Sequence, residues 1–218
     1  MLVTHERVEN GSILRLTGQD LACHRGGRLI FEGLGFQVRG GELMAVTGAN
    51  GAGKSTLLRL IAGLLRASAG SVTYEGPDGG SELARALHYF GHQDAVKSGF
   101  SVRQDLAFWT RYWGGRGDPV EALETVGLSG LAEVPAGALS AGQRRRLALA
   151  RLVTVRRPVW LLDEPTSALD KASEAMLGGL IAAHLERGGI AIAATHQTLP
   201  RDPDLTLAMG EPVAEAPA

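Results

Sequence analysis

Gly48-Ala49-Asn50-Gly51-Ala52-Gly53-Lys54-Ser55 follows the spacing G-x-x-x-x-G-K-[ST]. Its flanks decide how it is read. Met44-Ala45-Val46-Thr47 ahead of it is a short apolar run of strand type, and Leu57-Leu58-Arg59-Leu60-Ile61-Ala62 behind it has helical character. A glycine-rich turn between strand and helix lets several backbone N–H groups converge on a phosphate chain. Lys54 can then reach the β- and γ-phosphates, and the Ser55 hydroxyl can ligate Mg²⁺. Gly48, Ala49, Asn50, Gly51, Ala52, Gly53, Lys54, Ser55 and Thr56 are therefore candidate ATP-binding residues. Side chains at 48, 51 and 53 would block close approach or demand a left-handed backbone.

Three further segments narrow the chemistry. Leu139-Ser140-Ala141-Gly142-Gln143 precedes Arg144-Arg145-Arg146-Leu147-Ala148-Leu149-Ala150-Arg151. Val159-Trp160-Leu161-Leu162-Asp163-Glu164-Pro165-Thr166-Ser167-Ala168-Leu169-Asp170 follows, and then Ala193-Ala194-Thr195-His196-Gln197. In this order the segments resemble the ATP-binding-cassette (ABC) ATPases over nearly the whole chain. The segment before the Asp-Glu strand is the most specific of them.

Val159 to Leu162 is a continuous apolar run, as expected of a strand buried on both faces of a parallel sheet. Asp163 would emerge at its carboxyl end, where open α/β sheets bind ligands, and could hold Mg²⁺ through water. Glu164, one residue on, could polarise the attacking water. Ser140 reads as an N-cap for a helix over 143–156, and a helix N-terminus with small residues suits a γ-phosphate. The resemblance implies that Ser140, Ala141, Gly142 and Gln143 are presented to the ATP held by a second copy of the chain, in a head-to-tail dimer with two ATP molecules sandwiched. Ala141 stands where glycine is usual, and its small side chain should preserve the contact. The resemblance also assigns His196 to the γ-phosphate and the attacking water. Gln93 would join the Mg²⁺ shell and report the nucleotide state, so Ser55, Gln93 and Asp163 form the expected metal set, with Mg²⁺ and ATP as cofactors.

The chain has 218 residues, enough for one domain that buries roughly 70% of its unfolded surface. Its 22 basic and 23 acidic residues leave a net charge of −1, which argues against a general nucleic-acid surface. The run Arg144-Arg145-Arg146 reads as a solvated helix face. Cys23 is the lone cysteine, so an intrachain disulfide is impossible. No segment reaches the roughly 18 apolar residues of a membrane span, and Met1 to Asn10 is too polar for a secretory signal.

The expected fold is an α/β P-loop NTPase of ABC-ATPase type, with a RecA-like core, an N-terminal antiparallel β subdomain and an inserted helical subdomain. Residues 1–41 supply the antiparallel region, with turns at Gly26-Gly27 and Gly40-Gly41. Residues 42–90 and 158–209 form the nucleotide-binding core. Residues 91–157 are mainly helical, with helices over Val102–Trp113 and Val120–Val126. Residues 210–218 form a tail expected to be disordered.

Outside the shared motifs, Cys23-His24-Arg25-Gly26-Gly27-Arg28-Leu29-Ile30-Phe31-Glu32-Gly33-Leu34-Gly35-Phe36 resembles the opening of the CcmA family. These are ATP-binding subunits of bacterial cytochrome c biogenesis (haem exporter) complexes. Gly91-His92-Gln93 with Lys97, and Thr195-His196-Gln197, resemble the same family. Phe100-Ser101 and Gln104-Asp105 depart from its usual Leu-Thr and Glu-Asn. The resemblance implies a translocase ATPase peripheral to the cytoplasmic face of the inner membrane. Its partners would be a CcmB-like integral membrane subunit, a CcmC-like protein and a second copy of itself. An ABC ATPase for another substrate and a non-transport ABC ATPase are the alternatives. A small-molecule kinase would lack the Ser140–Gln143 segment. No aromatic residue stands where ABC proteins often stack adenine, and His24 or Arg25 is expected to lie against the base.

Overall fold

Two patterns of burial produce two sheets. The computed structural model describes residues 14–76, 82–91 and 93–210. The N-terminal stretch read as unlike a signal, His92 and the tail over 211–218 lie outside the described residues. Along the chain come β1 (Arg15–Arg25), β2 (Arg28–Arg39), β3 (Leu43–Thr47), α1 (Lys54–Ile61), β4 (Ala69–Glu75), α2 (Leu83–Ala86) and β5 (Leu87–Phe90). They are followed by α3 (Val102–Tyr112), α4 (Pro119–Thr125), α5 (Ala141–Thr154), β6 (Val159–Asp163), α6 (Lys171–Glu186), β7 (Ile190–Ala194) and β8 (Leu205–Ala208).

Strands β6 and β7 are buried at every position. Such runs need cover on both faces, and they occupy the middle of a parallel sheet in the order β5-β6-β7-β3-β8. Successive side chains point to opposite faces. Leu43, Ala45, Trp160, Leu162, Ala191 and Ala193 pack with the helical segment and α6. Met44, Val46, Leu161, Ile190, Ile192 and Ala194 pack with α1 and with Leu16, Leu21 and Val38 of the antiparallel sheet. The sheet is thus the shared wall of two cores, and its carboxyl edge carries the motifs.

The antiparallel sheet runs β2-β1-β4. β1 and β2 turn at Gly26-Gly27, with φ of 56° and 79°. Its third strand, β4, comes from residues 69–75, inside the stretch expected to belong to the nucleotide-binding core. The pairing Arg15–Glu75 through Ala22–Ala69 draws it across. The intervening α1 therefore lies between the two sheets, with Leu57, Leu58 and Ile61 buried.

In the helical segment, α3 and α4 begin and end within a residue of the expected bounds. α3 opens with a capping box between Ser101 and Gln104, and Asp118 caps α4. α5 begins at Ala141 and also opens with a capping box: the Ser140 hydroxyl accepts from the Gln143 amide at 3.3 Å, and the Gln143 side chain accepts from the Ser140 amide at 2.9 Å. Among the described residues no helix is long and apolar enough to cross a membrane.

Candidate functional site

The phosphate-loop lysine sits at the head of α1. Gly53, the N-cap of that helix, has φ of 98°, and a Cβ there would come within 2.6 Å of Ile30 Cγ2. Only glycine fits both constraints. No side chain caps the helix start, so its first amides face the loop's concavity. The Lys54 ammonium donates to the carbonyls of Gly48 at 2.8 Å and Ala49 at 3.1 Å, which ties the loop across its mouth. A cavity of about 350 Å³ opens here, lined by Arg25, Ile30, Asn50, Gly51, Gly53, Lys54, Ser55, Thr56 and Glu164.

The Ser55 hydroxyl donates to one Asp163 carboxylate oxygen at 2.7 Å, and the Tyr89 hydroxyl donates to the other at 3.0 Å. Arg59 donates to Tyr89 at 3.3 Å. Burial pushes the Tyr89 phenol above its ordinary value, while the bond from Arg59 opposes that. Ser55 and Asp163 present hard oxygens side by side, the donor chemistry Mg²⁺ requires.

Glu164 has φ of 48°, a left-handed conformation uncommon outside glycine. Its amide donates to Ala194 O at 2.9 Å. One carboxylate oxygen lies 3.0 Å from His196 Nδ1. The other is buried and has no hydrogen-bond partner among the described residues. Such an atom is costly unless something polar comes to meet it. His196 is carried on the turn after β7. There the Thr195 hydroxyl accepts from the Gln197 amide at 2.9 Å, and Thr166 donates to the Gln197 side chain at 3.1 Å. Gln197 therefore fastens the histidine turn to the loop that follows Glu164.

Several expected site residues lie elsewhere. Gln93 is exposed and lines a separate cavity of about 90 Å³ with Trp109, Trp113 and Arg151. It is not among the residues that line the phosphate-loop cavity. Ser140–Gln143 also lie outside that cavity, where Gly142 approaches Ala168 O. The helix end is closed by its own Ser140, which takes the Gln143 amide. Of the two candidates for the base, Arg25 lines the cavity. The His24 amide is bonded to Ser68 Oγ at 3.0 Å.

The arginine run is not a uniformly solvated face. Arg145 is buried, and its two terminal nitrogens bond to the loop after β5 and to the end of β6, because the first turn of α5 lies against that edge of the sheet. Ile30, Tyr89, Arg145 and Gln197 were missed as site residues. Only the strand position of Tyr89 ahead of Gln93 offered a signal.

A larger cleft of about 690 Å³ lies at the opposite end of the sheet, where Pro158 and Gly189 lead into β6 and β7. Trp160 and His184 stack at its wall with ring centroids 4.0 Å apart. Neither the phosphate loop nor any motif carboxylate reaches it, so size is no guide to chemistry here.

The profile of a family described as ABC transporter matches residues 31–167. A "Cytochrome c biogenesis ATP-binding export protein CcmA" from Rhodopseudomonas palustris (strain BisB5) is 55% identical over 185 residues, 84% of this chain and 92% of that relative. An ABC-transporter ATP-binding protein of Pyrococcus furiosus superposes with a TM-score of 0.78 at 25% identity, over 89% of this chain and 97% of that one. The structure of cbiO1 from Clostridium perfringens, part of the ABC transporter complex cbiONQ, gives a TM-score of 0.67 at 28% identity. The match covers 84% of this chain and 78% of that one.

Proposed function

The chain belongs to the ABC transporter family as an ATP-binding, ATP-hydrolysing subunit, and on that premise we propose that it powers haem delivery for c-type cytochrome assembly. The observation that carries the hydrolytic part is the convergence of Lys54, Ser55 and Glu164 on one cavity, with His196 on the Glu164 carboxylate. The cytochrome c part is supported by the 55% identity to a relative named for that role, over 92% of the relative's length.

The β- and γ-phosphates sit against the first amides of α1 and the Lys54 ammonium, which exchanges its loop carbonyls for phosphate oxygens. Ser55 and Asp163 would hold Mg²⁺, which supplies charge neutralisation on the phosphates when bound. Glu164 accepts a hydrogen bond from the attacking water through its carboxylate and polarises it. His196 fixes the other carboxylate oxygen and reaches toward the γ-phosphate. Gln93 joins only after its loop moves inward from the neighbouring cavity. Ser140 to Gln143 serve the ATP of a second copy, which completes a head-to-tail dimer. The dimer rests on a CcmB-like membrane subunit with a CcmC-like protein, at the cytoplasmic face of the inner membrane.

The test is a strain in which Lys54→Ala replaces the native chain. Haem-stained gels of membrane and periplasmic proteins should lose covalently haem-loaded c-type cytochromes while b-type haem proteins stay intact. Normal c-type cytochromes in that strain would leave an ABC ATPase with another substrate.

A further inference from the structure

Three consecutive arginines open α5, and their guanidinium groups go to different places. Arg144 donates to Leu139 O at 2.6 Å, and Arg146 to Val126 O and Gly127 O at 3.3 Å each. Arg145 turns inward and is 3% exposed. Its Nη1 donates to Gly91 O at 2.7 Å and lies 3.2 Å from Asp94 Oδ1. Its Nη2 donates to Asp163 O at 3.1 Å and Glu164 O at 2.7 Å. The guanidinium lies over the Phe90 ring, 3.9 Å from its centroid.

One planar group thus holds two backbone segments at once. Gly91 and Asp94 belong to the loop after β5, which carries Gln93. Asp163 ends β6 and Glu164 opens the turn that follows it. Only a fork of fixed geometry can span both; a lysine ammonium is a point donor on a flexible stem. Burial pulls the guanidinium below its ordinary value, and Asp94, Asp163 and Glu164 oppose that pull.

The contact to Glu164 matters most. A left-handed non-glycine residue persists only where its surroundings over-determine it. Here both peptide groups of Glu164 are pinned, its amide by Ala194 O and its carbonyl by Arg145. That backbone sets where the side chain starts, and His196 Nδ1, 3.0 Å from one carboxylate oxygen, holds its far end.

We infer that Arg145 is a positioning residue for hydrolysis: it fixes Glu164 in its left-handed turn and ties that turn to the loop carrying Gln93. Displacement of the loop is then felt at the carboxylate that polarises water. This rests on the reading of Glu164 as the group that activates water.

Arg145→Lys keeps the charge but cannot bridge both segments. In the purified full complex with its membrane partner, it should lower kcat for ATP at least about tenfold and leave KM within about threefold. A positioning residue loses its effect once the group it positions is gone. In a Glu164→Gln background, Arg145→Lys should therefore cost less than about twofold more, measured by single-turnover cleavage. Wild-type kcat in a folded Arg145→Lys complex overturns the inference. A tenfold loss that persists undiminished in the Glu164→Gln background also overturns it, because the arginine would then act only through the general packing. Full turnover in Glu164→Gln alone is a separate result, which removes the base reading itself. Should Arg145→Lys fail to fold, Asp94→Ala decides: it removes one of the two loop-side contacts, leaves the one to Gly91 O, and should lower kcat about threefold, again only while Glu164 is present. No change in kcat there overturns the coupling.

Discussion

The turn Asp163-Glu164 is held from two sides by different chemistry. On the phosphate-loop side, the hydroxyls of Ser55 and Tyr89 hold the Asp163 carboxylate. On the α5 side, Arg145 holds the carbonyls of both residues and touches neither carboxylate. The first grip involves exchangeable hydroxyl bonds on the oxygens that Mg²⁺ would use. The second involves charge-assisted bonds from a buried group, which cost more to break. Backbone position is thereby separated from carboxylate chemistry, so the acids can change partners without the turn moving.

Removing the chemistry while leaving both grips intact should have the largest effect. Glu164→Gln keeps the turn and its backbone bonds, so nucleotide binding should persist while turnover falls at least about a hundredfold. ATPase rate and equilibrium nucleotide binding on the same preparation check this. Near-normal turnover would remove the carboxylate from the mechanism.

The scaffold side can be loosened by acid. His88 on β5 donates from Nε2 to Val155 O at 2.7 Å, which ties the strand to the far end of α5. Burial lowers its pKa from 6.5 to about 4, against the raising effect of the Val155 bond. The unfolded chain therefore takes up this proton near 6.5 and the folded chain only near 4. The neutral ring favours the native state fully above about pH 6.5, and that contribution is lost as pH falls toward 4. Urea unfolding at about pH 5 should show roughly 2 kcal/mol less stability from this ring than at about pH 7.5. His88→Gln should remove that share of the slope. His184, also lowered to about 4, chiefly by burial, should leave a residual slope in that variant. Equal slopes in the two proteins would show that His88 carries none of it.

On the phosphate-loop side, Tyr89→Phe deletes one of the two bonds to Asp163 and spares Arg145. The Mg²⁺ concentration for half-maximal ATPase should rise by up to about tenfold, with kcat at saturating Mg²⁺ little changed. A fall in kcat without a Mg²⁺ shift would mean that Tyr89 also supports the backbone. The smallest effect belongs to the base. Arg25 and Ile30 offer a cation and an aliphatic surface, so ATP should be preferred over GTP by less than about tenfold in side-by-side affinities. A preference of about a thousandfold would reveal a further base contact.

The motifs were legible because their chemistry is local. A phosphate cradle needs consecutive amides and glycines, and Gly48 to Ser55 supply them in one stretch. Capped helices such as α3 and α4 declare themselves through neighbours three or four residues away. Arg144, Arg145 and Arg146 carry no such signal. All three have the same side chain, and which one is buried depends on how α5 sits against β5 and β6.

The sequence by itself determined the strand–loop–helix cradle, the acidic pair after a buried strand, the capped helix at Ser140 and the family. Each of these rests on contiguous residues or a fixed short spacing. The tertiary structure decided what holds the acidic turn. Tyr89 meets Asp163 across 74 positions, Arg145 meets Glu164 across 19 and Gln197 meets Thr166 across 31. It also decided that β4 joins the antiparallel sheet and that Gln93 faces a different cavity. These contacts depend on register and packing between elements distant in the chain, and local residue patterns do not encode that geometry.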